Sequence, residues 1–418
     1  MQRLKINITS EIGKLKAVII HEPGQEIENM TPRNAERALY SDILNLIIAS
    51  REYSQLKDVL KILTTTFEIT DLLNDILENE KIKCELITKI CKNEDKLEVK
   101  DFLLEIPSSQ LAKLLIEGVE IQKNTLTQFL NPDRYSLPPL HNLFFMRDPS
   151  ITILDKVLIS YMANKVRERE ALLMEAIFDY HPLLSTKVIS PYRFENKKGI
   201  KIEGGDILVA RDDTLLIGLG QRTSSQGIDF ILKNFMKNDK IRHIIVQELP
   251  EEPESFIHLD MIFTFLDIDK AMVYTPVIFK AGRYQTIHIE KQNNDKVKFS
   301  EENNILTALK KLGFDIEPIF CGGRKNEYIQ EREQWHSGAN FFAIGPGQVI
   351  GYERNVYTIE ELSRNGFEVI TAKDVINGKK SPLEYKKFVI TIPGSELARG
   401  GGGIRCMTNP IVRENISL

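Results

Sequence analysis

The stretch Asp206-Ile207-Leu208-Val209-Ala210-Arg211-Asp212-Asp213-Thr214-Leu215-Leu216-Ile217-Gly218 holds two apolar runs joined by a short charged turn. Two such runs around turn residues read as a β-hairpin. A helical stretch follows over Ser225–Met236, then a third apolar run over His243–Gln247. The order is strand, strand, helix, strand. It recurs three more times. Hairpins span Ser150–Tyr161, Met261–Tyr274 and Asn340–Tyr352, turning at Asp155-Lys156, Asp267-Ile268-Asp269 and Gly345-Pro346-Gly347. Helical stretches follow over Arg167–Tyr180, Glu301–Leu312 and Ile359–Gly366, and closing runs over Lys187–Ser190, Ile316–Phe320 and Phe367–Thr371.

A fifth copy can form from both chain ends. The C-terminal runs Phe388–Ile392 and Cys406–Val412 would combine with Lys16–His21, a helix around Glu52–Thr64 and the run Phe67–Asp71. Sharing one unit between the two ends would close a ring of repeats, as propellers do. An ordinary open α/β sheet is the alternative, and periodicity leaves both standing. One segment stands apart. Residues 72–137 follow a helical pattern, with Leu111, Leu114, Leu115 and Val119 on one face. Ser108 or Ser109, after Pro107, can cap that helix. The expectation is an α-helical bundle at 72–137 inserted into a discontinuous α/β domain, 1–71 and 138–418.

The bulk properties exclude several classes. A net charge of −4 gives no reason to expect nucleic acid or an anionic membrane as partner. Cys84, Cys91, Cys321 and Cys406 are scattered, with neither CxxC spacing nor a disulfide framework. No apolar segment follows Met1, and no run of about 18 apolar residues occurs. A soluble cytoplasmic protein is expected, with the helical segment offering a surface for a homo-oligomer.

Cys406 closes the run Arg399-Gly400-Gly401-Gly402-Gly403-Ile404-Arg405-Cys406. Glycines let backbone approach a ligand, and cationic neighbours favour the reactive thiolate. The competing view is a buried structural cysteine. The hairpin entrances carry Arg147-Asp148, Glu203-Gly204-Gly205-Asp206 and His258-Leu259-Asp260. If equivalent strand ends meet, a thiol, an imidazole and several carboxylates share one pocket. That set suits nucleophilic catalysis on a cationic substrate. Asp148 and Asp260 would hold a planar guanidinium. His258 would act as general acid and base, with Glu203 on its second nitrogen. Blander readings are a core histidine and an Asp148 paired with Arg147 at the surface. His258 with Asp260, Glu203 and Asp206 also resembles a metal-binding set, although that leaves Cys406 unused. The glycine run lacks the Gly-Lys-Ser/Thr ending of a phosphate loop.

The matching blocks are Asn142-Leu143-Phe144-Phe145-Met146-Arg147-Asp148-Pro149, Glu203-Gly204-Gly205-Asp206, Gly220-Gln221-Arg222-Thr223, His258-Leu259-Asp260, Arg332-Glu333-Gln334-Trp335, Tyr352-Glu353-Arg354-Asn355 and Gly394-Ser395-Glu396-Leu397, leading to Cys406-Met407. In this order they resemble the arginine deiminases of the guanidine-modifying superfamily. The resemblance implies the pentein fold, a fivefold pseudosymmetric α/β propeller of ββαβ modules with an inserted helical domain. It implies hydrolysis of L-arginine to L-citrulline and ammonia with no metal and no cofactor. By position Cys406 is the nucleophile that forms an amidino-thioester, His258 the acid/base and Glu203 the carboxylate beside it. Asp148 and Asp260 bind the guanidinium, Asn142, Arg167 and Arg222 grip the substrate α-carboxylate, and Asp206 supports the site. Gly401 stands where the family has an arginine, and Met146 where it has a threonine. Two other readings therefore stay open: a relative acting on another guanidino or ureido amino acid, and an arginine-binding homologue with impaired catalysis.

Overall fold

Short runs rich in Val, Ile and Leu have no polar face, so they pair where both faces are covered. In the second repeat Ile207–Arg211 and Thr214–Leu219 form the expected antiparallel hairpin, with Ile207 opposite Ile217. Helix Ser225–Ile231 then leads to His243–Glu248, which pairs parallel to Thr214–Leu219. The computed structural model describes residues 3–236, 240–279, 284–292, 296–324 and 326–416. Its architecture is mixed α/β.

The first repeat has the same plan. Ser150–Ile153 and Lys156–Ile159 pair antiparallel, and Lys187–Ile189 returns parallel after helix Glu168–Tyr180. In the third, Phe263–Phe265 and Lys270–Val273 make the hairpin, and Glu317–Phe320 adds parallel after helix Ile305–Lys311. The fifth unit uses both chain ends. Asn409–Arg413 lies antiparallel to Leu15–Ile20, and Thr65–Glu68 adds parallel after helix Leu46–Leu63.

Several expectations need correction. In the fourth unit, Gln348–Tyr352 pairs with Phe388–Ile392, which the sequence placed in the fifth. Glu368–Thr371 is displaced to the far side of Phe388–Ile392. The fully buried Phe388-Val389-Ile390-Thr391-Ile392 takes the central place, and the half-buried Glu368–Thr371 takes the edge. Second, the strands Thr286–Lys291 and Val297–Glu302 were not foreseen. They extend the second sheet and shorten the helix expected from Glu301, which starts at Ile305 behind an Asn304 cap. Val297–Glu302 is largely exposed and charged, so it has no apolar signature. Third, the run Phe67–Asp71 is divided, because helix Ile69–Leu77 starts within it. Fourth, Ser108 does not cap its helix: Pro107 is the cap residue, and Ser108 Oγ donates to the Leu77 carbonyl at 3.0 Å.

Beyond Leu72, helices Glu80–Asn93, Lys100–Glu105, Ser108–Glu117 and Leu126–Leu130 are joined by a small antiparallel pairing of Val119–Glu120 with Tyr135–Leu137. Val119 therefore leaves the helical face, after Gly118 ends the helix at φ 101°. Leu73, Ile76, Ile87, Ile90, Leu111 and Leu115 share one apolar cluster with Leu172, Leu173 and Ile177 of the first unit's helix. No helix among the described residues is long and apolar enough to cross a membrane.

Candidate active site

A polar residue lies one to three positions before the first strand of each unit. Asp148, Asp206, Asp260, Asn340 and Cys406 precede strands starting at Ser150, Ile207, Phe263, Phe342 and Asn409. These lead-ins are linked in cyclic order. Gly204 N donates to the Asp148 carbonyl at 3.0 Å, and Leu259 N to Asp206 Oδ1 at 3.0 Å. Asn340 Nδ2 donates to the Asp260 carbonyl at 3.2 Å, and Cys406 N to Asn340 Oδ1 at 3.2 Å. Arg147 N returns to the Cys406 carbonyl at 2.9 Å. Residues as far apart in the chain as Arg147 and Cys406 thus hold one another in place. Beside them opens a cavity of about 640 Å³, lined by Asn142, Asp148, Arg167, Arg222, His258 and Cys406. Glu203 and Asp260 are fully buried behind it.

The sulfur of Cys406 lies 3.8 Å from Asp260 Oδ2 and 4.0 Å from Oδ1. Burial pushes its thiol well above the ordinary range, and the charges of Asp260 and Asp148 push further, against the weaker pull of Arg405. The resting group is a neutral thiol. His258 Nε2 meets Glu203 Oε2 at 2.9 Å, and its Nδ1 lies 3.6 Å from Asp148 Oδ1. Burial alone would lower its pKa. The charge of Asp148 and the bond to Glu203, with Asp206 behind, outweigh burial and raise it to about 9. His258 is an imidazolium at neutral pH. Glu203 is held at about 2 against the opposing effect of burial, by Arg222 first and then by His258. Gly205 allows this packing, because a Cβ there would sit 2.5 Å from His258 Nδ1.

Asp148, Glu203 and His258 each offer an atom within 4.8 Å of the others, as a metal would require. Asp206 and Asp260 do not join that set. With its imidazolium between two carboxylates, the set as charged suits a proton donor. Asp148 is not paired with Arg147 at the surface. It is buried, its Oδ2 accepts from Arg167 Nη1 at 2.7 Å, and its Oδ1 has no hydrogen-bond partner. Arg147 is buried too, donating through Nε to the Arg405 carbonyl at 3.3 Å.

The three residues expected at a substrate carboxylate differ in how free they are. Arg222 lies 3.6 Å from Glu203 Oε1 and lines the cavity. Asn142 also lines it, although its Nδ2 donates to the Ala38 carbonyl at 2.7 Å. Arg167 is largely committed: besides Asp148 it holds Glu170 through Nε and Nη2, at 2.8–3.1 Å. Asp206 supports the His258 loop, and burial raises its carboxyl to about 7.

Three contributors escape the sequence reading. Asn340 links Cys406 to Asp260, and its signal is its place before the fourth hairpin, matching Asp148 and Asp260. Glu170 and Glu11 hold Arg167 and Arg405 respectively, and no local pattern marks either.

Solved structures with the same fold include an amidinotransferase, SxtG from Microseira wollei, at TM-score 0.55 and 13% identity over 99% of this chain and 98% of that one. Another is the N-terminal domain of ArgZ, a cyanobacterial arginine dihydrolase, at TM-score 0.52 and 13% identity over 95% and 97%. They mark the fold as a pentein. Among curated sequences, the arginine deiminases of Oenococcus oeni and Listeria monocytogenes are each 32% identical, covering 99% and 98% of both chains respectively. The arginine deiminase family model matches residues 36–413. With that match across nearly the whole chain, the protein belongs to the arginine deiminase family.

Proposed function

We propose that the protein hydrolyses L-arginine to L-citrulline and ammonia through a covalent intermediate on Cys406. One observation carries the reading: Cys406, His258 and Asp148 face one cavity, with Asp260 directly behind the sulfur. The substrate guanidinium lies between the Asp148 and Asp260 carboxylates. Its positive charge offsets the two anions that hold Cys406 neutral, so binding releases the thiol proton to solvent. The thiolate adds to the guanidinium carbon. The His258 imidazolium gives its proton to one nitrogen, the C–N bond breaks and ammonia leaves, giving an amidino-thioester. Neutral His258 then takes a proton from water as hydroxide adds to the same carbon. The C–S bond breaks, its electron pair returns to sulfur, and the hydroxyl proton follows, releasing citrulline and the thiol. Fixed orientation of this kind is worth about 7–11 kcal/mol at best.

Arg222, Asn142 and the remaining donor of Arg167 grip the α-carboxylate, which favours a free amino acid over agmatine. The reaction proceeds in the cytoplasm without metal or cofactor. The five units close as a fivefold propeller over 1–71 and 138–418, with 72–137 as the inserted helical domain. The cyclic hydrogen bonds among the five lead-ins support that closure.

Incubation with arginine, agmatine and methylated arginines, assayed for citrulline and ammonia, tests the reading. Arginine turnover that is indifferent to chelator and abolished in Cys406→Ser is expected, falling above about pH 9 as His258 loses its proton. Arginine binding without turnover would sink it.

A further inference from the structure

Both carboxylates at the reacting centre are already touched by a protein guanidinium, and by the same wiring. Arg167 donates through Nη1 to Asp148 Oδ2 at 2.7 Å, and Arg405 through Nη1 to Asp260 Oδ2 at 2.7 Å. Arg167 turns Nε and Nη2 onto Glu170, and Arg405 turns Nε and Nη2 onto Glu11 at 3.1 and 3.2 Å. Each Nη2 also donates to a backbone carbonyl, of Asn142 at 3.3 Å and Ile207 at 2.8 Å. In each flank one aspartate oxygen carries the protein arginine. The other carries no arginine: Asp148 Oδ1 has no hydrogen-bond partner and lies 3.6 Å from His258 Nδ1, and Asp260 Oδ1 faces the Cys406 sulfur at 4.0 Å.

A buried arginine beside an aspartate is an internal competitor for a guanidinium substrate. Its preferred arrangement is two parallel bonds to one carboxylate, which would occupy both oxygens. With Nη1 already on Asp260, a two-bond grip there needs Nη2 as well. Here Nη2 of Arg405 is committed to Glu11 and to Ile207. Glu11 is itself fixed: its Oε1 accepts from Val209 N at 3.2 Å and its own N donates to the Val209 carbonyl at 2.8 Å. It lies near the start of the chain, outside the residues matched by the family model.

We infer that Glu11 is a positioning residue for substrate binding: it holds Arg405 side-on, so that Asp260 keeps one oxygen free for the substrate guanidinium. The inference rests on the guanidinium-binding role of Asp260 given above. Without the Glu11 charge, Arg405 closes on Asp260 with two bonds and takes the substrate's place.

The test measures arginine affinity by calorimetry in the Cys406→Ser background, with and without Glu11→Gln, together with steady-state kinetics of the single Glu11 variants. Glu11→Gln is expected to weaken arginine binding and raise KM by more than tenfold. Lysine cannot make the two-bond grip, so adding Arg405→Lys is expected to recover at least half of that loss on a logarithmic scale. Glu11→Asp keeps the charge but is shorter, and a rise in KM of about three- to tenfold is expected. If the glutamine variant does not fold, the aspartate variant decides. KM and affinity within twofold of the unmodified protein in the variant that folds would overturn the inference. So would a loss confined to kcat and thermal stability, or one that Arg405→Lys leaves in place. Failure of the unmodified protein to turn over arginine would sink the proposed reaction alone, because the calorimetric comparison needs only binding.

Discussion

The Asp148 and Asp260 flanks share a geometry and differ in charge. In each, an aspartate is touched by an arginine that a glutamate holds from the side. Around Glu11 the neighbours are cationic: Arg405, Arg147 and Arg413 overcome the opposing effect of burial and hold its carboxyl at about 2. Around Glu170 burial wins, and Asp148 and Glu203 add to it against Arg167, raising the carboxyl to about 7. The excess cations have costs of their own, since burial and Arg405 bring Arg147 down to about 9. Matching hydrogen bonds therefore do not imply matching titration. One flank is locked across the working pH range, and the other changes state within it.

The largest effects come from the aspartates. Asp148→Asn and Asp260→Asn each remove one of the two carboxylates that hold a buried arginine, and with it one of the two anions proposed to hold the substrate guanidinium. Each is expected to lower kcat/KM by about 10²–10³-fold, measured as citrulline release. A gap between the two losses much beyond tenfold would break the functional equivalence of the flanks.

A smaller effect separates them. As pH falls through about 7, Glu170 takes a proton and loosens its hold on Arg167, while Glu11 keeps its charge. The KM for arginine should rise on acidification from 8 to 6 by about three- to tenfold, a loss of the order of one ordinary hydrogen bond. Glu170→Gln should show the raised KM at both ends and a flat profile. A pH-dependent KM that survives in Glu170→Gln would assign the step to another group.

Stability should show the same contrast. A carboxyl raised in the fold contributes stability that is complete below its unfolded value of 4.5 and is lost as pH rises through about 7. Glu11, lowered to about 2, contributes stability present above 4.5 and lost as pH falls through 2. Urea unfolding of Glu170→Gln against the unmodified protein should show the variant gaining relative stability between pH 5 and 8. A constant difference over that window would contradict the elevated carboxyl.

The smallest effect lies at the rim, away from both flanks. Gly401 has φ +86°, and a Cβ there would meet nothing within 4 Å. Gly401→Ala should cost about 1 kcal/mol of backbone strain, read by urea unfolding, and leave the aspartate flanks untouched. A loss of several kcal/mol would mean that the rim is coupled to them.

Much of this was legible before any coordinates. The hairpin runs are apolar along their length, so their buried pairing could be read directly, and the alternation of helix and strand outlined four of the five units, with the strand order of the fourth misplaced. Where the reading slipped, the signal was absent or ambiguous. Val297–Glu302 is a charged outer strand with no apolar period. Phe388–Ile392 is as apolar as any strand, and nothing local says which sheet it joins. Asn340 was hidden because its amide differs from the aspartates that precede the other hairpins, although it too lies just before a first strand.

Residue types and order by themselves determined the repeat, the use of both chain ends in one unit, and the set of thiol, imidazole and carboxylates. Local patterning suffices there, because burial demands apolar residues and chemistry demands particular side chains. Only the tertiary structure decided the charge states and the free oxygens. Those depend on distances between groups far apart in the chain, such as Glu11 and Arg405, and on how completely water is excluded around them. A carboxylate in a sequence has one intrinsic acidity. In this fold Glu11 and Glu170 are driven in opposite directions by what packs against them.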